Sequence, residues 1–160
     1  MAWKPKSYQN KGNWKKGKES EDKFCKFMNK IGLGCKESTF YENKDKHIDF
    51  YIGDNTPVDL KGNKHTEHLW IEKKNVWGGK GSIYGDYKFL VVEYADINTY
   101  VFYDRVALAK HIEQYTVICE NNNDYYCIYT REGNKDQVIK VKEIDIRVYE
   151  QFRIQYSNSF

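Results

Sequence analysis

The chain has 160 residues, with 26 Lys and Arg against 23 Asp and Glu, for a formal net charge of +3. That length can bury the core of one domain without metal or disulfide staples, and 40% hydrophobic with 16% aromatic residues excludes wholesale disorder. A mean hydropathy of −0.85 and no apolar run near ~20 residues exclude a membrane-spanning helix.

The charge is uneven. Residues 1–18 hold six lysines and no acid, so removing them from the +3 total leaves −3 for residues 19–160. Residues 1–16 are therefore expected to form a flexible basic arm, neither helix nor strand, with Trp3, Tyr8 and Trp14 set among the lysines. Lys4, Lys6, Lys11, Trp14, Lys15, Lys16 and Lys18 suit a segment that neutralises phosphates and stacks on bases. The alternative is a solvated tail whose aromatics dock on the domain. No apolar stretch here makes a signal peptide.

From Glu19 to Ile31 the spacing of Phe24, Phe27, Met28 and Ile31 predicts an amphipathic helix, ended by Gly32 and Gly34. KESTFYE, HIDFYI, TPVDLKG, HLWIEKKNV, YKFLVVEY and TYVFYD then alternate with Gly, Asn, Asp and Pro turns and read as strands. Asp104 caps a predicted helix carrying Val106, Ala109 and Ile112, and YYCIYT and QVIKVKEIDI flank the turn REGNKD as a late hairpin. The order predicts a single α/β domain over residues 17–160, a mixed sheet flanked by helices. Cys25, Cys35, Cys119 and Cys127 form no C-x-x-C pair, which points to reduced thiols in the cytoplasm. His65 and His68 have no second ligand pair at zinc-site spacing.

In HIDFYI, alternation turns Ile48, Phe50 and Ile52 to the core and His47, Asp49 and Tyr51 to the other side; in PVDLKG it turns Val58 and Leu60 inward and Asp59 and Lys61 away. Pairing the two as a hairpin across GDNT gathers Asp49, Asp59 and Lys61 on one face. Two carboxylates are hard-oxygen ligands suited to Mg²⁺, which binds through one or two acids and keeps several waters. Lysine adds a point charge and a donor beside an attacking water.

The stretch HIDFYIGDNTPVDLKG resembles the signature of the PD-(D/E)xK nuclease superfamily, an acid on one strand followed by acid-x-Lys on the next. The resemblance covers roughly residues 17–115. It implies the restriction-endonuclease-like fold and a Mg²⁺-dependent endonuclease cleaving DNA, with Mn²⁺ able to substitute. It further implies Asp49 and Asp59 as metal ligands, Lys61 as the residue orienting the water, and a helix glutamate, here Glu21 in preference to Glu19. Likeness to junction-resolving and restriction-type enzymes implies a homodimer. A second register stays open, in which Asp59 is the first acid and WIEKKN supplies Glu72 and Lys74; in either register Glu72 is a candidate accessory ligand. The following KKNVWGGKGSIYGDYKF, with Lys74 and Lys80 as candidate DNA contacts, resembles a segment of phage-type nuclease-like proteins. It reads either as a loop that lets backbone approach a phosphate strand or as a Gly-rich surface loop over a satellite core. The rival functions are a catalytically silent nucleic-acid-binding module and an RNA-directed nuclease.

Overall fold

The computed structural model describes residues 11–119 and 124–157, with side chains from Lys15 onward. The first element, α1 (Lys11–Lys30), is longer than its apolar spacing predicts. Residues 11–16, expected to lie in a non-helical arm, are its first turns. Lysine is a good helix former, and Lys18 holds both Asp22, one turn on (3.4 Å), and Glu37 (3.1 Å). Phe24, Phe27 and Met28 bury the opposite face, whereas Ile31 lies beyond the helix end and is exposed. Gly32 adopts φ +83°, and the amides of Gly32 and Leu33 donate back to Asn29 and Met28, a Schellman closure that the left-handed glycine permits.

β1 (Cys35–Glu37) and α2 (Phe40–Lys46) follow. KESTFYE does not form the single strand expected. Thr39 and Glu42 make a reciprocal capping box, with the Glu42 amide donating to Thr39 Oγ1 (3.2 Å) and the Thr39 amide to Glu42 Oε1 (2.9 Å). That local pairing outweighs the β preference of Phe40 and Tyr41. The Tyr51 hydroxyl donates to Glu42 and ties α2 to the next strand.

β2 (Phe50–Ile52) and β3 (Thr56–Asn63) form an antiparallel hairpin in which Phe50 faces Val58 and Ile52 faces Thr56. β4 (His68–Lys74) then leaves this sheet. β5 (Phe89–Tyr94) returns to run parallel to β3, setting Asp59 opposite Leu90 and Lys61 opposite Val92. β6 (Thr99–Asp104) pairs antiparallel with β5, and α3 (Arg105–Tyr115) starts at Asp104, whose side chain caps the Ala107 amide at 3.0 Å. Leu108, Ala109, His111 and Ile112 are the buried face of α3, while Val106, expected on it, is exposed. β7 (Ile128–Tyr129) and β8 (Gln137–Lys142) pair antiparallel, but EIDI forms the short helix α4 (Glu143–Ile146) instead of prolonging the strand. β9 (Glu150–Gln155) closes the large sheet at β6.

The result is a mixed α/β architecture. A six-stranded sheet, ordered β1-β2-β3-β5-β6-β9, has one parallel pair, and a three-stranded antiparallel sheet is ordered β4-β8-β7. α1 covers one face of the large sheet through Phe24, Met28, Phe50, Val58, Val91 and Phe102. The other face packs through Leu90, Val92 and Tyr103 on α3 and on Leu69, Ile71 and Ile139 of the small sheet. The cysteine expectation also changes. Cys119 and Cys127 are joined by a disulfide because the chain after α3 turns back beside β7, bringing their Cα atoms to 5.3 Å; Cys25 and Cys35 are free thiols. Among the described residues no helix is long and apolar enough to cross a membrane.

Candidate active site

The β2–β3 hairpin sets the geometry. Asp49 extends the ladder by one residue, its amide donating to the Val58 carbonyl (2.9 Å). Its carboxylate is held at both oxygens: Asn43 Nδ2 donates to Oδ1 at 2.7 Å and the Leu60 amide to Oδ2 at 2.8 Å. One donor comes from α2 and the other from β3, so the acid is fixed by two elements.

The Asp59 carboxyl lies within hydrogen-bonding reach of Asp49. Burial, and then the negative charge of Asp49, hold Asp59 well above the ordinary carboxylate range; Lys61 opposes this and Glu72 adds to it. Burial also raises Asp49, against the hydrogen bonds from Leu60 and Asn43. Two carboxyls this close cannot both carry full charge without a proton or cation between them. Glu21 approaches Asp49 from α1. It lines a cleft of about 280 Å³ with Asp49, Asn43 and Lys18, and its carboxyl is raised by burial first and by Asp49 second. Glu19 instead lines a neighbouring cleft with Lys23 and Glu93.

Glu72 belongs to the other sheet. It and Lys61 line one cleft of about 340 Å³, and its Oε1 accepts the Ser82 amide at 3.0 Å. β4 pairs with β8 and not with β3, and a bulge interrupts its alternation between Glu72 and Lys74. Lys74 sits opposite Lys80 in an isolated bridge, both exposed, and neither lines the clefts that hold Glu21, Asp49, Lys61 or Glu72. The hairpin thus gathers Asp49, Asp59 and Lys61, with Glu21 and Glu72 arriving from either side, while Lys74 stays apart.

The basic candidates divide. Lys15 and Lys16 are exposed on α1, and Lys16 lines a second cleft beside Glu21, closed on the sheet side by Leu60 and Gly62. Lys18 is engaged by Asp22 and Glu37. Lys4 and Lys6 lie outside the described residues, as do the side chains of Lys11 and Trp14.

The glycines of the loop after β4 serve the protein's own packing. A Cβ on Gly81 would stand 2.3 Å from the Glu72 carbonyl oxygen, and one on Gly85 would stand 2.7 Å from that of Lys46. Ile83 between them and Tyr87 just after are buried, so Tyr87 is core and not a free stacking surface; Trp77 is exposed. The Tyr87 hydroxyl is a site feature that strand alternation does not reveal. It is buried, finds no hydrogen-bond partner among the described residues, and is raised by burial and then by the charge of Asp59. No family model matches the chain, and no curated protein or solved structure matches it either.

Proposed function

We propose that this protein is a Mg²⁺-dependent endonuclease of the restriction-endonuclease-like kind that hydrolyses DNA phosphodiester bonds, selecting structure or weakly selecting sequence, and acts as a homodimer. The observation that carries this is the contact between the Asp49 and Asp59 carboxyls on one hairpin, with Lys61 acting on Asp59 from the next outward position of β3. Among the described residues no three His, Cys, Asp or Glu side chains form a ready-made metal group. The donor chemistry nevertheless fits Mg²⁺. A pair of carboxylates is the protein's usual share of its coordination, and the partnerless buried Tyr87 hydroxyl, which feels the charge of Asp59, is a polar atom that water would satisfy.

Asp49 and Asp59 would hold the ion, with Glu72 as accessory. Bound Mg²⁺ supplies Lewis-acid charge that offsets the negative charge growing on the phosphate. The Leu60 amide and Asn43 keep Asp49 in one orientation. Lys61 donates to the attacking water and orients it, and Glu21 adds an acceptor on the α1 side. In-line attack of the water oxygen on phosphorus forms the new P–O bond and breaks P–O3′; the water's proton passes to solvent and the leaving 3′-oxygen takes one from it.

The decisive variant is Asp59→Ala. It should abolish cleavage of supercoiled, linear, branched and single-stranded DNA in Mg²⁺ or Mn²⁺ while leaving DNA binding in Ca²⁺ intact. Cleavage retained by this variant overturns the assignment. Clear gel shifts with no cleavage by the wild-type chain would make it a binding module, and cleavage confined to RNA would make it a ribonuclease.

A further inference from the structure

We infer that the cleft between β3 and the small sheet is a subsite for one unpaired nucleotide of the DNA strand, its base stacked in the corner made by Trp70 and Tyr129. This rests on the nuclease reading of the adjoining acid pair. Alternation along β4 and β8 sends Leu69, Ile71 and Ile139 into the core and leaves Trp70, Glu72 and Val138 on the outer face. An outer face of an antiparallel sheet is ordinarily polar. Here it carries two half-buried rings, Trp70 and Tyr129, whose centroids are 5.9 Å apart at 51°.

Both rings line the same cleft of about 340 Å³ as Lys61 and Glu72, so a base lying on them belongs to a nucleotide next to the acid pair. Arg131 is held at the rim of that cleft. Its Nε donates to Asp136 Oδ2 at 2.5 Å and its amide to Asp136 Oδ1 at 3.1 Å, and Asp136 is completely buried. A buried carboxylate that fixes an exposed guanidinium sets its position in advance, at a place where the flanking phosphate would run. Aromatic faces for a base and two cations for phosphates fit a nucleotide. In a duplex the base faces are already covered by their neighbours, so the corner discriminates in favour of unpaired strand.

The test uses the full chain, Ca²⁺ in place of Mg²⁺, and fluorescence anisotropy with three probes of equal length: a labelled single-stranded oligodeoxynucleotide, its duplex, and the single-stranded RNA counterpart. Trp70→Ala should weaken single-stranded DNA binding by about tenfold, the expected loss of one base–aromatic stack, and leave duplex binding nearly unchanged; Trp70→Phe should restore most of the loss. Equal losses on both DNA forms, no loss on either, or a loss confined to RNA overturns the proposal. Should Trp70→Ala fail to fold, a 5-iodouracil oligodeoxynucleotide photocrosslinked to the wild-type chain gives the answer. Label at Trp70 or Tyr129 supports the subsite, and label only elsewhere overturns it. The two readings separate cleanly. A selective Trp70→Ala loss with no wild-type cleavage removes the nuclease and keeps the subsite, whereas cleavage with no such loss does the reverse.

Discussion

The two faces of the six-stranded sheet are covered by different chemistry. On the α1 face, Phe24 lies at the centre of an aromatic cluster, with ring centroids 5.1 Å from Tyr100 and 5.5 Å from Phe50, and Phe27, Met28 and Val58 fill in around it. On the other face polar groups enter the interior: Tyr94 of β5 and Tyr103 of β6 share a hydrogen bond at 2.8 Å, and His111 of α3 is enclosed between Tyr126 and Tyr149. The candidate site lies at the β2–β3 end, open on one side to α1 through Glu21 and on the other to the small sheet through Glu72. The α1 face is an aromatic anchorage with one buried acid at its edge, Glu93, held by Lys23 and Tyr156; the other face is threaded by tyrosine and histidine hydrogen bonds, and the acid pair sits between them.

The contrast predicts mutational effects of different size and different pH dependence. Phe24→Ala should be the most damaging, because a fully buried ring is lost from a cluster that α1 cannot refill; about 3–5 kcal/mol is expected. Chemical denaturation should give the same loss at pH 7.5 and pH 5, since its ring partners Phe50 and Phe102 do not titrate and burial raises the Tyr100 hydroxyl above its ordinary 10. A loss that grew at low pH would mean that the ring's anchorage depends on the Glu93–Lys23 pair at the edge of that face.

Gly81→Ala attacks the other face. Its Cβ would meet the carbonyl of Glu72 and the carbonyl carbon of Lys73, at 2.3 and 2.6 Å, and backbone cannot swing aside as a side-chain tip can. About 1–3 kcal/mol of overpacking is expected, read as a fall of about 2–4 °C in Tm for each kcal/mol. Unchanged stability would show that the loop is not packed on β4.

Much of this is visible in the chain itself. The β2–β3 hairpin follows from clean alternation on both sides of a short turn, and the start of α3 from Asp104 ahead of an apolar run. Alternation identifies a strand with a buried face but not the sheet it joins, so β4 reads like its neighbours although it pairs with β8. The capping box of Thr39 and Glu42 was present in KESTFYE, yet Phe40 and Tyr41 suggest a strand to a propensity argument. β9 escapes notice because EQFRIQ is a polar edge strand that buries little. The first turns of α1 carry lysines that look like a tail by composition, and the link between Cys119 and Cys127 depends on a chain reversal that spacing does not encode. In the site, Asp49, Asp59 and Lys61 stand out as polar positions on apolar strands, whereas Tyr87 looks like an ordinary aromatic until its hydroxyl is found buried and unpartnered among the described residues.

The smallest effect is the most specific to the polar face. Tyr126 donates its hydroxyl proton to Asp145 Oδ2 at 2.8 Å, so its oxygen accepts from His111 Nε2 at 2.9 Å, and His111 Nδ1 is left to accept the Tyr149 hydroxyl at 2.9 Å. Both ring nitrogens are used by the neutral imidazole, and protonating Nδ1 would require the Tyr149 hydroxyl to turn and accept instead. Burial accordingly lowers the His111 pKa below its ordinary 6.5, and Asp145, which favours the imidazolium, does not reverse this. The unfolded chain therefore takes up the proton first as pH falls. The stability due to neutral His111 is complete above about pH 6.5 and is lost progressively below it, at no more than about 1.4 kcal/mol per pH unit for one proton. Urea titrations of the wild-type chain and of His111→Gln at pH 7.5, 6 and 5 should converge as the pH drops, because the variant has no proton to take up at that position. Parallel curves would assign the acid sensitivity to other groups and leave this enclosed ring a matter of shape alone.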